Sequence, residues 1–254
     1  MSVGVKKRLA AALANAKYRR GLTRLPFLFT FANAFLGFVS ITQSLEKNYE
    51  WAIYSIMLAA LMDAFDGRLA RALNSTTALG AELDSLADAI SFCLAPCVLW
   101  YTWYGTAIGY TGYAALAFYL CAGLFRLAKF NLTAVQQQNY FIGLPTPVAA
   151  FFVSSLVLYS QWIFAHSLRF VLYKRVPLVL VMVIAWLMIS SIRFPTFKHY
   201  RRSLHLFHYF IIAFLLIVFS LFFIWGSPIL LICITAYIVC ALAHWLLLRF
   251  RIVK

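Results

Sequence analysis

The only four Asp residues of this 254-residue chain, Asp63, Asp66, Asp84 and Asp88, fall within 26 positions, with Glu82 among them. The surrounding stretch is otherwise apolar and reads DAFDGRLARALNSTTALGAELDSLAD. On a helix, Asp63, Asp66, Gly67, Ala70 and Arg71 recur at spacings of three and four, so they share one face. Asn74, Ser75, Thr76 and Thr77 interrupt the pattern with helix-capping oxygens. A second helix then carries Gly80, Asp84 and Asp88 at four-residue spacing. A short link makes the two helices antiparallel neighbours, so their Asp pairs can face each other.

Carboxylates in such a setting need compensation. A charged side chain at a bilayer centre costs about 2.5–3.5 kcal/mol on insertion scales. Arg68 and Arg71 neutralise part of the charge. A hard divalent cation does so better, because Mg²⁺ and Mn²⁺ take several oxygen ligands. A metal held there recruits phosphate, which Arg71 can grip through paired hydrogen bonds. Gly67, Ala70 and Gly80 leave room for a large ligand against the backbone. The expected ligand is a metal-bound phosphate or diphosphate. Two other readings use the same carboxylates: an ion-paired seam between helices and a cation- or proton-transport path. Transport sites lie near the bilayer midplane, whereas this cluster adjoins a polar link.

The elements that must position these residues follow from composition. Hydrophobic residues are 64% of the chain and charged residues 11%, with a mean hydropathy of +0.86. Soluble domains run nearer ~45–50% and ~25%. The net charge of +15 raises nucleic acid as a partner, but so little charged surface points instead to an all-α, polytopic membrane bundle with its cations in loops. Runs long enough to cross a bilayer occur at about 25–44, 51–73, 81–101, 109–130, 144–165, 176–194, 206–226 and 228–248. With a cytoplasmic N-terminus, this eight-span threading leaves only Lys47, Arg169, Lys174 and Arg175 of the 22 basic residues outside. Both termini and the Asp site are then expected at the cytoplasmic face. The 169–175 cluster runs against the rule.

Residues 1–24 form a basic cytoplasmic segment. Lys6, Lys7, Arg8, Lys17, Arg19, Arg20 and Arg24 alternate with Leu9, Leu13 and several Ala, as in an amphipathic juxtamembrane helix. The run after Arg24 is too long for the core of a cleaved signal peptide. Cys93, Cys97, Cys121, Cys233 and Cys240 all lie in apolar runs and read as small core residues. His199, His205 and His208 lack a neighbouring acid or thiol and make a weak zinc pattern. Without repeats or low-complexity segments, residues 1–254 are expected to form a single integral membrane domain.

The Asp stretch resembles, at every fixed position, the signature D-x2-D-G-x2-A-R-x8-G-x3-D-x3-D of the CDP-alcohol phosphotransferase family. Eight fixed positions at roughly one in twenty each make a chance match about 10⁻¹⁰ per start site. The resemblance implies that Asp63, Asp66 and Asp84 hold a divalent metal, Mn²⁺ or Mg²⁺. It implies that Asp88 is the catalytic base and also a ligand if a second metal binds. Gly67, Ala70, Arg71 and Gly80 would border the CDP group. Homodimers are what the family implies.

Three further stretches resemble the membrane-integral, serine-using branch of the family: Arg126–Asn131, Gly143–Ala150 and Ser190–Lys198. Thr30 and Asn33 resemble polar positions of that branch's first span. The implied substrates are CDP-diacylglycerol and L-serine, and the products phosphatidylserine and CMP. Acceptor candidates are Arg126, Lys129 and Arg193 for a carboxylate or phosphate, and Asn131 and Thr146 for neutral hydrogen bonds. Glycerol 3-phosphate and inositol phosphate would suit the same cations, so another acceptor stays open, choline included. A cation-coupled transporter is the alternative of another class.

Overall fold

The computed structural model describes residues 25–73, 77–104, 109–133, 140–165, 175–195, 231–240 and 242–243. The basic segment 1–24, the predicted span 206–226 and the three-His pattern lie outside these residues. The described chain is helical: α1 Leu25–Leu45, α2 Tyr49–Ala72, α3 Ala78–Tyr104, α4 Gly109–Thr133, α5 Thr146–Ala165, α6 Arg175–Ile189 and α7 Leu231–Cys240. Three of them, α1, α3 and α4, are long and apolar enough to cross a membrane. They mark the chain as a membrane protein. α2 has the length, at 24 residues, but carries the aspartates.

α1 shows how such a chain packs. Leu28, Phe31, Phe35 and Phe38 recur every three or four residues and are exposed, whereas Thr30, Asn33, Gly37, Ser40 and Ser44 on the opposite face are buried. The pattern is inverted relative to a water-soluble helix. Lipid tails take the large apolar side chains, and small or polar residues let helices approach and hydrogen-bond. At Gly37 the approach is so close that a Cβ would stand 2.9 Å from the Cα of Ser91. α2 lies along α1, and the apolar core fills the space between α2, α3, α4, α5 and α6 with Ile53, Ile56, Phe92, Trp100, Tyr119 and Val153.

α3 is not regular. Residues Ala89–Leu94 form a π-helical segment, in which the Ala95 N–H donates to the Ile90 carbonyl five residues back. Pro96 lies just beyond it. Proline has no N–H to give the carbonyl four residues earlier, here that of Phe92.

Two departures from the all-helical expectation occur at one end of the bundle. Tyr140–Ile142 and Arg193–Pro195 pair as a short antiparallel ribbon, with Ile142 opposite Arg193. Helix α6 therefore ends at Ile189, where the predicted sixth span runs to 194. Ser190 stops it, its hydroxyl donating to the Leu187 carbonyl. The Leu144 N–H donates to the same carbonyl at 3.1 Å, and the Gly143 N–H to Ile192 O at 2.9 Å. Carbonyls left free at a helix end are thus satisfied by the chain that starts α5.

Gly143 makes that stitch possible. Its φ is +80°, and a Cβ there would run into the Met188 carbonyl oxygen. Gly143→Ala therefore adds left-handed strain to a backbone clash. We expect it to destabilise the protein by about 1–3 kcal/mol, read as a lowered Tm in detergent. An unchanged Tm would show that the junction relaxes freely.

The cysteine expectation needs one correction. All five are free thiols, and Cys93 and Cys97 are buried, but Cys121 and Cys240 are exposed on helix surfaces. A thiol is apolar enough for a lipid-facing position, so an apolar run does not distinguish core from surface.

Candidate active site

The two Asp-bearing helices meet as the spacing requires. α2 presents Asp63 and Asp66 near its C-terminal end. Thr77 caps the start of α3, its hydroxyl accepting the Gly80 N–H at 3.0 Å. Capping satisfies one of the free N–H groups of the first turn and sets the register that carries Asp84 and Asp88. Asp63, Asp66 and Asp84 each offer a carboxylate oxygen, and the three lie within 4.8 Å of one another. Asp66 is buried, and the other two are half-buried.

Asp88 adjoins this triad and is buried. It is close enough to feel the charges of Asp63, Asp84 and Asp66. At an effective dielectric near 20, two like charges ~4 Å apart repel by about 4 kcal/mol. Four ionised carboxylates at this density call for positive charge among them. The donor set is all hard oxygen, and it fits Mg²⁺ or Mn²⁺ better than a soft metal.

α1 orients two of the four. The Thr30 hydroxyl donates to Asp66 Oδ2 at 2.9 Å, and Asn33 Nδ2 donates to Asp88 Oδ1 at 3.1 Å. Both donors are themselves buried. The sequence marked Thr30 and Asn33 only by resemblance; the structure supplies their contacts. The Ser91 hydroxyl in turn donates to the Asn33 carbonyl at 2.8 Å.

Of the acceptor candidates, two come together. Arg126, on α4, is buried, and its Nη1 donates to Thr146 Oγ1 at 2.9 Å. Its Nε is buried without a hydrogen-bond partner among the described residues. The guanidinium also lies within electrostatic reach of Asp88 and Asp63. Asn131 instead exchanges hydrogen bonds with Ser85, tying the end of α4 to the first turns of α3. Lys129 is half-buried on α4, and Arg193 sits in the ribbon opposite Ile142. Gly67, Ala70 and Arg71 follow Asp66 along α2, and Gly80 lies in the first turn of α3. Glu82 is exposed.

Buried and half-buried aspartates gathered among apolar helices, with an arginine in electrostatic reach, place the chain in the class of membrane proteins that carry a hard-oxygen donor set suited to a divalent cation. The comparisons with known proteins give that class its family. Residues 23–186 match the CDP-alcohol phosphatidyltransferase family, and the chain belongs to it. Over 230 residues it is 34% identical to CDP-diacylglycerol–serine O-phosphatidyltransferase of Helicobacter pylori, covering 90% of this chain and 93% of that protein. It is 32% identical to the Bacillus subtilis protein of the same name over 182 residues, 70% of this chain and 94% of the relative. Archaetidylserine synthase of Methanothermobacter thermautotrophicus is 32% identical over 186 residues, 72% of this chain and 74% of the relative.

Proposed function

We propose that this chain transfers the phosphatidyl group of CDP-diacylglycerol to the hydroxyl of L-serine, giving phosphatidylserine and CMP. The observation that carries the reading is the convergence of Asp63, Asp66 and Asp84 beside Asp88 in a member of this family. Serine as acceptor is supported by the relatives' names and by the buried Arg126–Thr146 pair within reach of Asp88.

In this reading Asp63, Asp66 and Asp84 hold the divalent metal. Held there, Mn²⁺ or Mg²⁺ would supply positive charge against the diphosphate and the departing CMP. Arg71 meets the phosphates, and the small residues Gly67, Ala70 and Gly80 admit the nucleotide. Arg126 takes the serine carboxylate, with Thr146 fixing the guanidinium. Lys129, Asn131 and Arg193 border the acceptor side. Asp88 removes the proton of the serine hydroxyl. The freed oxygen pair bonds to the phosphorus that carries diacylglycerol, the phosphorus–oxygen bond to CMP breaks, and that pair leaves on CMP. Asn33 holds Asp88 in place throughout. The charge asymmetry of the loops supports assigning the reaction and both termini to the cytoplasmic face of the inner membrane, and the working unit is a homodimer.

One assay tests the reading. Full-length protein in detergent receives CDP-diacylglycerol and Mn²⁺ with serine, glycerol 3-phosphate, inositol phosphate or choline in parallel, and CMP is measured. CMP release with serine, lost on chelation, is the expected result. Release with glycerol 3-phosphate alone would reassign the acceptor. No metal-dependent CMP with any acceptor would sink the enzyme reading altogether.

A further inference from the structure

We infer that Tyr119 is a positioning residue for Asp88, acting through the π-helical turn that follows it. The inference rests on the reading of Asp88 as the base.

The α-helical ladder of α3 is intact up to the base. The Ala89 N–H still donates to the Ser85 and Leu86 carbonyls. Immediately afterwards the helix widens, and the Ala95 N–H reaches back five residues to Ile90. Widening by one residue turns everything downstream by about 100° relative to a regular continuation. The device separates two demands on one helix. Upstream, Asp84 and Asp88 must face the carboxylate cluster. Downstream, Leu99 and Trp100 must fill the core. Wide turns of this kind are uncommon, occur often at functional sites and leave backbone groups looking for partners.

Tyr119 supplies such a partner. Pro96 has no N–H to give the Phe92 carbonyl, and the Tyr119 hydroxyl, on α4, donates to that oxygen at 3.0 Å. The phenol is fully buried, so no water can take its place. On the other side of the turn, the Ser91 hydroxyl holds the Asn33 carbonyl, and the Asn33 amide holds Asp88. The base is thus clamped between α1 and α4 by Asn33, Ser91, Phe92 and Tyr119. Removing the phenol oxygen leaves the Phe92 carbonyl without this donor while Pro96 still offers none, so the turn is free to shift, and the carboxylate moves with it. A displacement of about 1 Å at a reacting group costs on the order of 100-fold in rate.

The experiment compares full-length Tyr119→Phe, Pro96→Ala and Asp88→Asn with the parent in the CMP assay. Tyr119→Phe is expected to lower kcat by about 10- to 100-fold while KM for both substrates stays near the parental value. Pro96→Ala restores the missing donor and favours a regular helix, so kcat should fall while Tm holds or rises. In an Asp88→Asn background, Tyr119→Phe should cost nothing further, as expected of two groups acting as a unit. Parental kcat in Tyr119→Phe or Pro96→Ala overturns the inference. So does a Tyr119→Phe variant in which kcat, KM and Tm deteriorate together, which marks a phenol that only fills the core. Should Tyr119→Phe fail to fold, Ser91→Ala releases the turn from the opposite side, and parental kcat there overturns the inference equally. The underlying reading fails separately: full turnover in Asp88→Asn removes Asp88 as base whatever Tyr119 does, whereas an inactive Asp88→Asn beside a fully active Tyr119→Phe removes only the positioning role.

Discussion

Asp88→Asn is expected to lower kcat by about 10²- to 10⁴-fold, the usual contribution of a positioned general base. The amide has the carboxylate's shape and keeps an oxygen for the Asn33 Nδ2 bond, so the clamp around residue 88 survives. What disappears is the ability to take a proton from the acceptor hydroxyl. The substitution also removes the charge that Asp63, Asp84 and Asp66 repel, which relaxes the cluster instead of straining it. Binding of CDP-diacylglycerol should therefore persist while turnover collapses. Single-turnover CMP release and equilibrium binding of the CDP-lipid separate the two quantities. Full activity in Asp88→Asn would remove it as the base. A parallel loss of binding would instead make it a ligand of the nucleotide-bound metal.

The convergence of the aspartates was legible in the sequence for a physical reason. The aspartates lie at helical spacing on two adjacent helices joined by a short capped link. Local periodicity alone then decides which side chains share a face, and Thr77 fixes where the second helix starts. The same locality made the bounds of the first five helices legible to within a few residues. Interactions across longer distances were not legible. Arg126 and Thr146 are 20 positions apart and both present acceptor-type chemistry, but only packing shows that they are bonded to each other. Asn131 carries the same kind of polar head, yet it is engaged by Ser85.

The irregular backbone was harder still. A ribbon of two three-residue strands has too few residues to show an alternating pattern, and Arg193–Pro195 sits at the end of an apolar helical run. Ser190 and Ser191 were the available signal for an earlier stop. The π-helical turn had a signal too, Pro96 inside the predicted third span, eight residues after Asp88. Proline in a membrane helix is tolerated where neighbours re-satisfy the freed carbonyl. Tyr119, the neighbour that does so, comes from another helix, which periodicity along α3 does not reveal.

The triad should respond to substitution in a different way from the base. Asp66→Asn removes one of three convergent carboxylates and the charged acceptor of the Thr30 hydroxyl. Loss of a supporting partner of a metal ligand alone typically costs 10- to 100-fold in affinity, so loss of a ligand should raise the half-maximal Mn²⁺ or Mg²⁺ concentration by about that factor or more. Because the neighbouring carboxylates remain, excess metal should recover part of the activity. The same excess should do nothing for Asp88→Asn, whose defect lies in proton removal. Metal titrations of CMP release on the two variants therefore cross: one curve shifts along the concentration axis, the other drops in height. Chelation should silence the parent, and re-addition of either ion should restore it. If Asp66→Asn titrates with metal as the parent does, the triad is an ion-paired seam between α2 and α3, and the compensating charge in the cluster comes from Arg126 and its neighbours instead of a cation.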